Sequence, residues 1–169
     1  GLIYYSNFLL TEIPSTLFLL LSYYFLFSKP ERTKTNLLLG GVFLGISTLY
    51  RAFFMLLPLA YAAYFFTSNR QDAVKKRIGN IALFLFAFTL TLAPWTLRNA
   101  KVHKAFVPLS TQAGAAMYIG FNPLEGKMGV GYVDSGVLGE KFPLSENTEV
   151  EYNKKVLRFT MDWIKSHPK

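Results

Sequence analysis

Residues 37–66 read LLLGGVFLGISTLYRAFFMLLPLAYAAYFF, an apolar run broken by a single charge, Arg51. As one helix, this stretch would put Arg51 at the centre of a bilayer, at a cost of roughly 3 kcal/mol or more unless the charge is paired. As two short helices, Leu37 to Tyr50 and Ala52 to Phe66, it would put Arg51 in a turn at the membrane surface. The flanking charges favour the second reading. Lys29, Arg32 and Lys34 precede the stretch, and Arg70, Lys75, Lys76 and Arg77 follow it. A hairpin places both basic groups on one side, as the positive-inside rule requires, whereas a single crossing would split them. Each helix is then only about 20 Å long, so it needs shielding by other helices or a locally thinned bilayer.

Working outward, Thr11 to Phe27 forms a further apolar segment, with Thr11 as a candidate cap and Pro14 in a permitted first-turn position. Downstream, Ile78 to Leu97 makes a fourth. Pro94 is expected to kink or end it by removing one helical hydrogen bond. Trp95 suits an interfacial aromatic belt, and Arg98, Asn99 and Lys101 mark the exit into water. The chain is 51% hydrophobic and 17% aromatic, but only 17% charged, against about a quarter charged in soluble domains. The expected fold is therefore an all-α polytopic membrane protein. About four membrane helices occupy residues 1–99, and residues 100–169 form an extracytoplasmic region.

That region is rich in turn formers: Gly114, Gly120, Asn122-Pro123, Gly126, Gly129, Gly131, Gly136 and Gly139. An irregular loop with short strands, including Tyr132-Val133, is expected there. A C-terminal amphipathic helix follows from Ser145 to Ser166, with Ser145 as cap and Glu146 and Glu149 in the first turn. Tyr152, Val156, Phe159 and Trp163 share one stripe of it, which reads as packing. The chain opens on Gly1 in apolar sequence without a charged leader, so a cut inside a longer protein is expected.

Cysteine is absent, which excludes disulfides and thiolate chemistry within this sequence. His103 and His167 lie far apart and offer little to a metal; no metal ligand is assigned. The net charge of +8 sits in membrane-flanking clusters and forms no basic stripe interleaved with aromatics, so nucleic acid is not an expected partner.

Several polar residues carry two readings each. Glu12 is either a first-turn carboxylate favoured by the helix dipole or an acid facing an extracytoplasmic site. Arg51 either snorkels to lipid phosphates or clamps the phosphate of a lipid-linked substrate with its planar fork. Pro94 to Asn99 is either an interfacial anchor or a second phosphate or sugar contact. Gln112 and Asn122 are weaker candidates for lining a sugar site. Gly40, Gly41 and Gly45 read as sites of close helix packing.

Taken in order, these residues resemble a known family. Thr11-Glu12 opens a membrane helix, Gly41-x-x-x-Gly45-Ile-x-x-Leu-x-Arg51 closes another, and Pro94-Trp95-x-x-Arg98-Asn99 precedes Phe106-Val107-x-Leu109-Ser110, Gly114 and Asn122-Pro123. The set resembles the protein-mannosyltransferase-like glycosyltransferases of family 39, which include protein O-mannosyltransferases and lipid A aminoarabinose transferases. The resemblance covers almost the whole chain. One departure is Ala52, where the family usually has proline, which bears on the turn at Arg51.

The resemblance implies a GT-C membrane enzyme that moves a sugar from a polyprenyl-phosphate donor to an extracytoplasmic protein, lipid A or envelope-glycan acceptor. It implies a catalytic acid in an outer loop upstream of Gly1, and a prokaryotic inner-membrane location. Membrane lipids are further partners. Arg51 and Arg98 become candidates for the donor phosphate, and Glu12, Asn99, Gln112 and Asn122 for orienting substrate or a cation. No cofactor is assigned; metal-dependent and metal-free displacement both stay open. The rival classes are a transporter subunit, which would place ionisable groups mid-membrane, and a non-catalytic membrane scaffold.

Overall fold

The structure is a computed structural model that describes residues 11–28, 33–68, 73–121, 142 and 148–166. The described residues are helical, without strands: α1 (Glu12–Phe27), α2 (Lys34–Tyr50), a 3-10 turn (Ala52–Leu56), α3 (Leu57–Ser68), α4 (Val74–His103), α5 (Ala113–Phe121) and α6 (Glu149–Ser166). They fall into two compact units that divide at Leu97 and Arg98.

In the first unit the direction of each helix follows from its contacts. Ser22 Oγ donates to the Gly40 carbonyl at 2.8 Å, and Ser47 Oγ donates to the Ser15 carbonyl at 2.8 Å. Later residues of α1 thus meet earlier residues of α2, and the two helices are antiparallel. Phe27, at the far end of α1, meets the rings of Tyr61, Tyr64 and Phe65 in α3. Tyr61 and Phe65 both touch Phe84, and Arg77 Nη1 donates to the Phe66 carbonyl at 2.9 Å. Helices α1 to α4 therefore alternate in direction between an Arg51 end and an Arg77 end. The stretch around Arg51 is a hairpin: α2 stops at Tyr50, Arg51 is extended (φ −138°, ψ 108°), and α3 returns after the 3-10 turn.

Glycines let α2 sit deep between its neighbours. A Cβ on Gly40 would lie 2.5 Å from the Leu26 side chain of α1. One on Gly41 would lie 2.5 Å from the Phe84 carbonyl of α4, and one on Gly45 would lie 2.7 Å from Thr91. Missing side chains at three positions thus bring backbone against its neighbours on two sides, the packing that small residues permit between membrane helices.

The distribution of polarity is inverted relative to a water-soluble bundle. Ser15, Ser22, Ser47, Thr48 and Asn36 are buried, whereas Ile13, Leu17, Leu20, Leu59, Phe86 and Leu90 are exposed. Ser22 and Ser47 bond across to the neighbouring helix, Ser15 and Thr48 bond to carbonyls of their own helices, and large apolar side chains face outward, which is stable where the surroundings are apolar. By length and composition α4, with 30 residues, can cross a membrane; at 1.5 Å per residue it is about 45 Å long. The shorter apolar helices Glu12–Phe27 and Ala52–Ser68 accompany it.

Several expected boundaries move. Thr11 has helical backbone angles and makes no side-chain cap bond. Instead Thr33 caps α2, accepting from the Asn36 amide at 3.2 Å, so that helix begins at Lys34 and not at Leu37. Pro94 neither ends nor shortens α4, which continues to His103. One proline removes a single backbone donor, and the turns on either side retain theirs. The helix stops one residue later, where Lys104 takes a left-handed conformation, φ 50°.

The second unit contains a helix that the glycine pattern did not suggest. Gly114 and Gly120 lie inside α5, not in turns. Gly114 is there for packing, because a Cβ would collide with the Asn153 carbonyl and the Leu157 amide of α6. The Gly114 amide donates to Asn153 Oδ1, and Tyr118 and Val156 form a buried core with Phe142, Tyr152 and Phe159 against it. Tyr152, Val156 and Phe159 of the α6 stripe therefore pack as their spacing implied. Helix α6 starts at Glu149, not Ser145. Thr148 Oγ1 accepts from the Glu151 amide while Glu151 Oε2 accepts from the Thr148 amide at 3.0 Å, a reciprocal capping box. These bonds from Thr148 hold the Glu151 carboxyl below its ordinary range. Ser145, Glu146, the Tyr132-Val133 strand and the glycines from Gly126 to Gly139 lie outside the described residues.

Candidate functional site

The first unit brings two of the sequence candidates together. Glu12 lies in the first turn of α1, and Arg51 follows the last residue of α2. The Arg51 amide donates back to the Ser47 carbonyl, and the Phe54 amide donates to the Arg51 carbonyl to open the 3-10 turn. The backbone leaves helical geometry for one residue, and the guanidinium reaches α1: Arg51 Nη1 lies 3.0 Å from Glu12 Oε1.

The pair stands on a built foundation one turn inward. Ser47 donates to the Ser15 carbonyl, Ser15 Oγ donates to the Glu12 carbonyl at 3.0 Å, and Tyr50 stacks on Phe18 with centroids 6.0 Å apart. These contacts fix the helix ends whether or not the charges meet. Both side chains are half exposed, 45% for Arg51 and 50% for Glu12. A pair of that exposure contributes about 0–1 kcal/mol, so stability alone does not account for it. A guanidinium carries five N–H donors in a fork, and the Glu12 contact engages Nη1.

The other candidates lie in the second unit. Asn99 is 3% exposed, and its Nδ2 donates to the carbonyls of Val107 at 3.3 Å and Leu109 at 3.1 Å. The amide secures the chain where it doubles back after α4. Arg98 Nη1 donates to Asn99 Oδ1 at 3.2 Å. Gln112 is exposed at the start of α5, where its carbonyl accepts from the Ala116 amide and its own amide donates to Ser110 Oγ. Asn122 lies outside the described residues. Glu149 contacts Thr111 at 3.2 Å and His103 at 4.0 Å, tying the start of α6 to the segment before α5. Among the described residues no group of three or more His, Cys, Asp or Glu comes together.

The sequence reading missed the serines. Ser15, Ser22 and Ser47 attracted no attention as isolated hydroxyls, yet they align α1 with α2. Their signal was available: two hydroxyls seven apart in α1 (Ser15, Ser22) and a glycine and a hydroxyl seven apart in α2 (Gly40, Ser47), all within apolar segments, mark facing stripes.

A family model described as dolichyl-phosphate-mannose-protein mannosyltransferase matches residues 2–96, more than half of the chain. The matched span includes Glu12, Arg51 and the whole α1–α3 hairpin system. Neither the curated proteins nor the solved structures contain a match to the chain.

Proposed function

Because the chain belongs to the dolichyl-phosphate-mannose-protein mannosyltransferase family, whose members are membrane glycosyltransferases of the GT-C type, we propose that it takes part in moving a sugar from a polyprenyl-phosphate donor to an acceptor outside the cytoplasm. The observation that carries this reading is the hairpin turn presenting Arg51 at one end of a membrane-type bundle, paired to Glu12. Charge develops on the donor's phosphate as its bond to the anomeric carbon breaks, and a preorganised guanidinium stabilises that charge. Glu12 holds the fork in place between turnovers and yields it to the phosphate. Arg98 is the second candidate cation.

A panel of polyprenyl-phosphate sugars offered to the full-length protein tests the reading. Transfer from at least one lipid-linked donor is expected, together with no transfer from a nucleotide sugar. Use of the nucleotide sugar alone would sink the proposal.

Topology supplies a second expectation. The Arg77 end carries Lys34, Lys75, Lys76 and Arg77 and is read as cytoplasmic, which places Arg51 and residues 100–169 outside. Single cysteines replacing Thr33, Phe53, Ser68 and Ser135 can be challenged on intact cells with an impermeant thiol reagent. Labelling is expected at positions 53 and 135 and not at 33 or 68. Labelling at position 68 with none at 53 would reverse the orientation.

A further inference from the structure

The second unit carries a cleft of about 450 Å³ on α6 that none of the roles above uses. Phe142 and Phe159 line it, half buried and meeting edge to face at 5.9 Å. Around these rings stand Lys154, Lys155 and Arg158, with Glu151 and Asp162. The charged positions recur at intervals of three and four, so they occupy one helical face. The same two rings pack against the Tyr118–Val156 core, which holds the aromatic floor of the cleft in place.

We infer that this cleft binds an anionic saccharide, a sugar ring carrying a phosphate or a carboxylate. The size lies within the range of small-ligand clefts, about 300–1,000 Å³. The apolar face of a pyranose packs on an aromatic ring, and its hydroxyls bond to charged neighbours. The balance of charge selects the anion. Three cations line the cleft against two carboxylates, so its lining carries a net positive charge. Arg158 brings a planar fork that matches a phosphate or carboxylate in two-point contact.

Calorimetric titration of the full-length protein in lipid nanodiscs tests this with three probes: glucose 6-phosphate, glucose and glycerol 3-phosphate. Glucose 6-phosphate is expected to bind at least about tenfold more tightly than either of the others, since only it offers both ring and anion. The double variant Lys154→Gln/Arg158→Gln keeps good helix formers and is expected to weaken that binding by about tenfold or more. Phe142→Ala should bring glucose 6-phosphate down to the level of glycerol 3-phosphate. Arg51→Lys should leave all three affinities unchanged, which separates this site from the donor reading. Equal affinity for glycerol 3-phosphate and glucose 6-phosphate would reduce the cleft to a charged patch and overturn the inference. So would absent binding of glucose 6-phosphate, or affinity untouched by the double variant.

Discussion

Arg51→Lys in the full-length protein is expected to lower turnover at limiting donor by about tenfold to a hundredfold, with protein level and folding matched to wild type. A charge-assisted hydrogen bond is worth about 1.5–3 kcal/mol, and each 1.4 kcal/mol or so is a factor of ten in rate. Lysine preserves the charge and loses the fork, so two-point contact with a phosphate is lost. It also preserves an ion pair with Glu12, so the folded bundle should be almost unaffected: the pair is half exposed, and the α1–α2 pairing is independently held by the Ser47–Ser15 bond and the Tyr50–Phe18 stack. The loss should therefore be concentrated in the kinetics and not in thermal stability. If Arg51 only snorkels to lipid headgroups, any long cation serves and Arg51→Lys matches wild type. Arg70→Lys, in the segment between α3 and α4, provides the comparison. Equal behaviour of the two variants would make Arg51 an anchor and remove it from the donor site.

Gly41→Ala should cost more stability than a methyl added at Gly40, Gly45 or Gly79, about 1–3 kcal/mol. The added carbon would sit 2.5 Å from the Phe84 carbonyl, 2.9 Å from Ala87 Cβ and 3.1 Å from the Phe88 amide nitrogen. Two of these obstacles are backbone of α4 and cannot rotate away, so the helices must separate. Gly40 differs in kind, because a Cβ there meets the flexible end of Leu26. Gly79 is the opposite case: it lies in α4, and a Cβ added there would meet nothing within 4 Å. Gly79→Ala should therefore gain up to about 1 kcal/mol from helix propensity. Thermal unfolding in detergent, followed by the monodisperse fraction after heating, reads both variants. A Gly41→Ala protein as stable as Gly79→Ala would show that α2 does not approach α4 as described.

Much of the first unit was legible in its charges and small residues. Arg51 between two apolar runs, with basic groups on both flanks, is sufficient to indicate a hairpin, because an unpaired guanidinium is costly at the bilayer centre and basic loops gather on one side. Gly40, Gly41 and Gly45 in one apolar segment indicate close packing, because a residue without a side chain lets two backbones meet. The family resemblance was carried by ordered local motifs, which sequence states directly.

Other features depended on partners distant in sequence. Thr11 satisfies every local rule for a cap yet makes no cap bond, whereas Thr33 and Thr148 do, because capping requires a backbone angle as well as a hydroxyl. Pro94 reads as a kink or an end, and α4 passes through it to His103, since the loss of one bond is small beside those made by the turns around it. Gly114 and Gly120 read as turns until Asn153 is seen to press against the first of them.

For the candidate site, composition and order determined by themselves that an arginine sits in a hairpin turn and that a glutamate opens an apolar helix. Only the tertiary structure decided that the two meet, 3.0 Å apart across α1 and α2. The same structure committed Asn99 to the carbonyls of Val107 and Leu109. The physical reason is range: hydropathy and charge act through the local solvent environment and are written along the chain, whereas an ion pair or a buried amide needs one particular distance, which exists only once the helices have chosen their register.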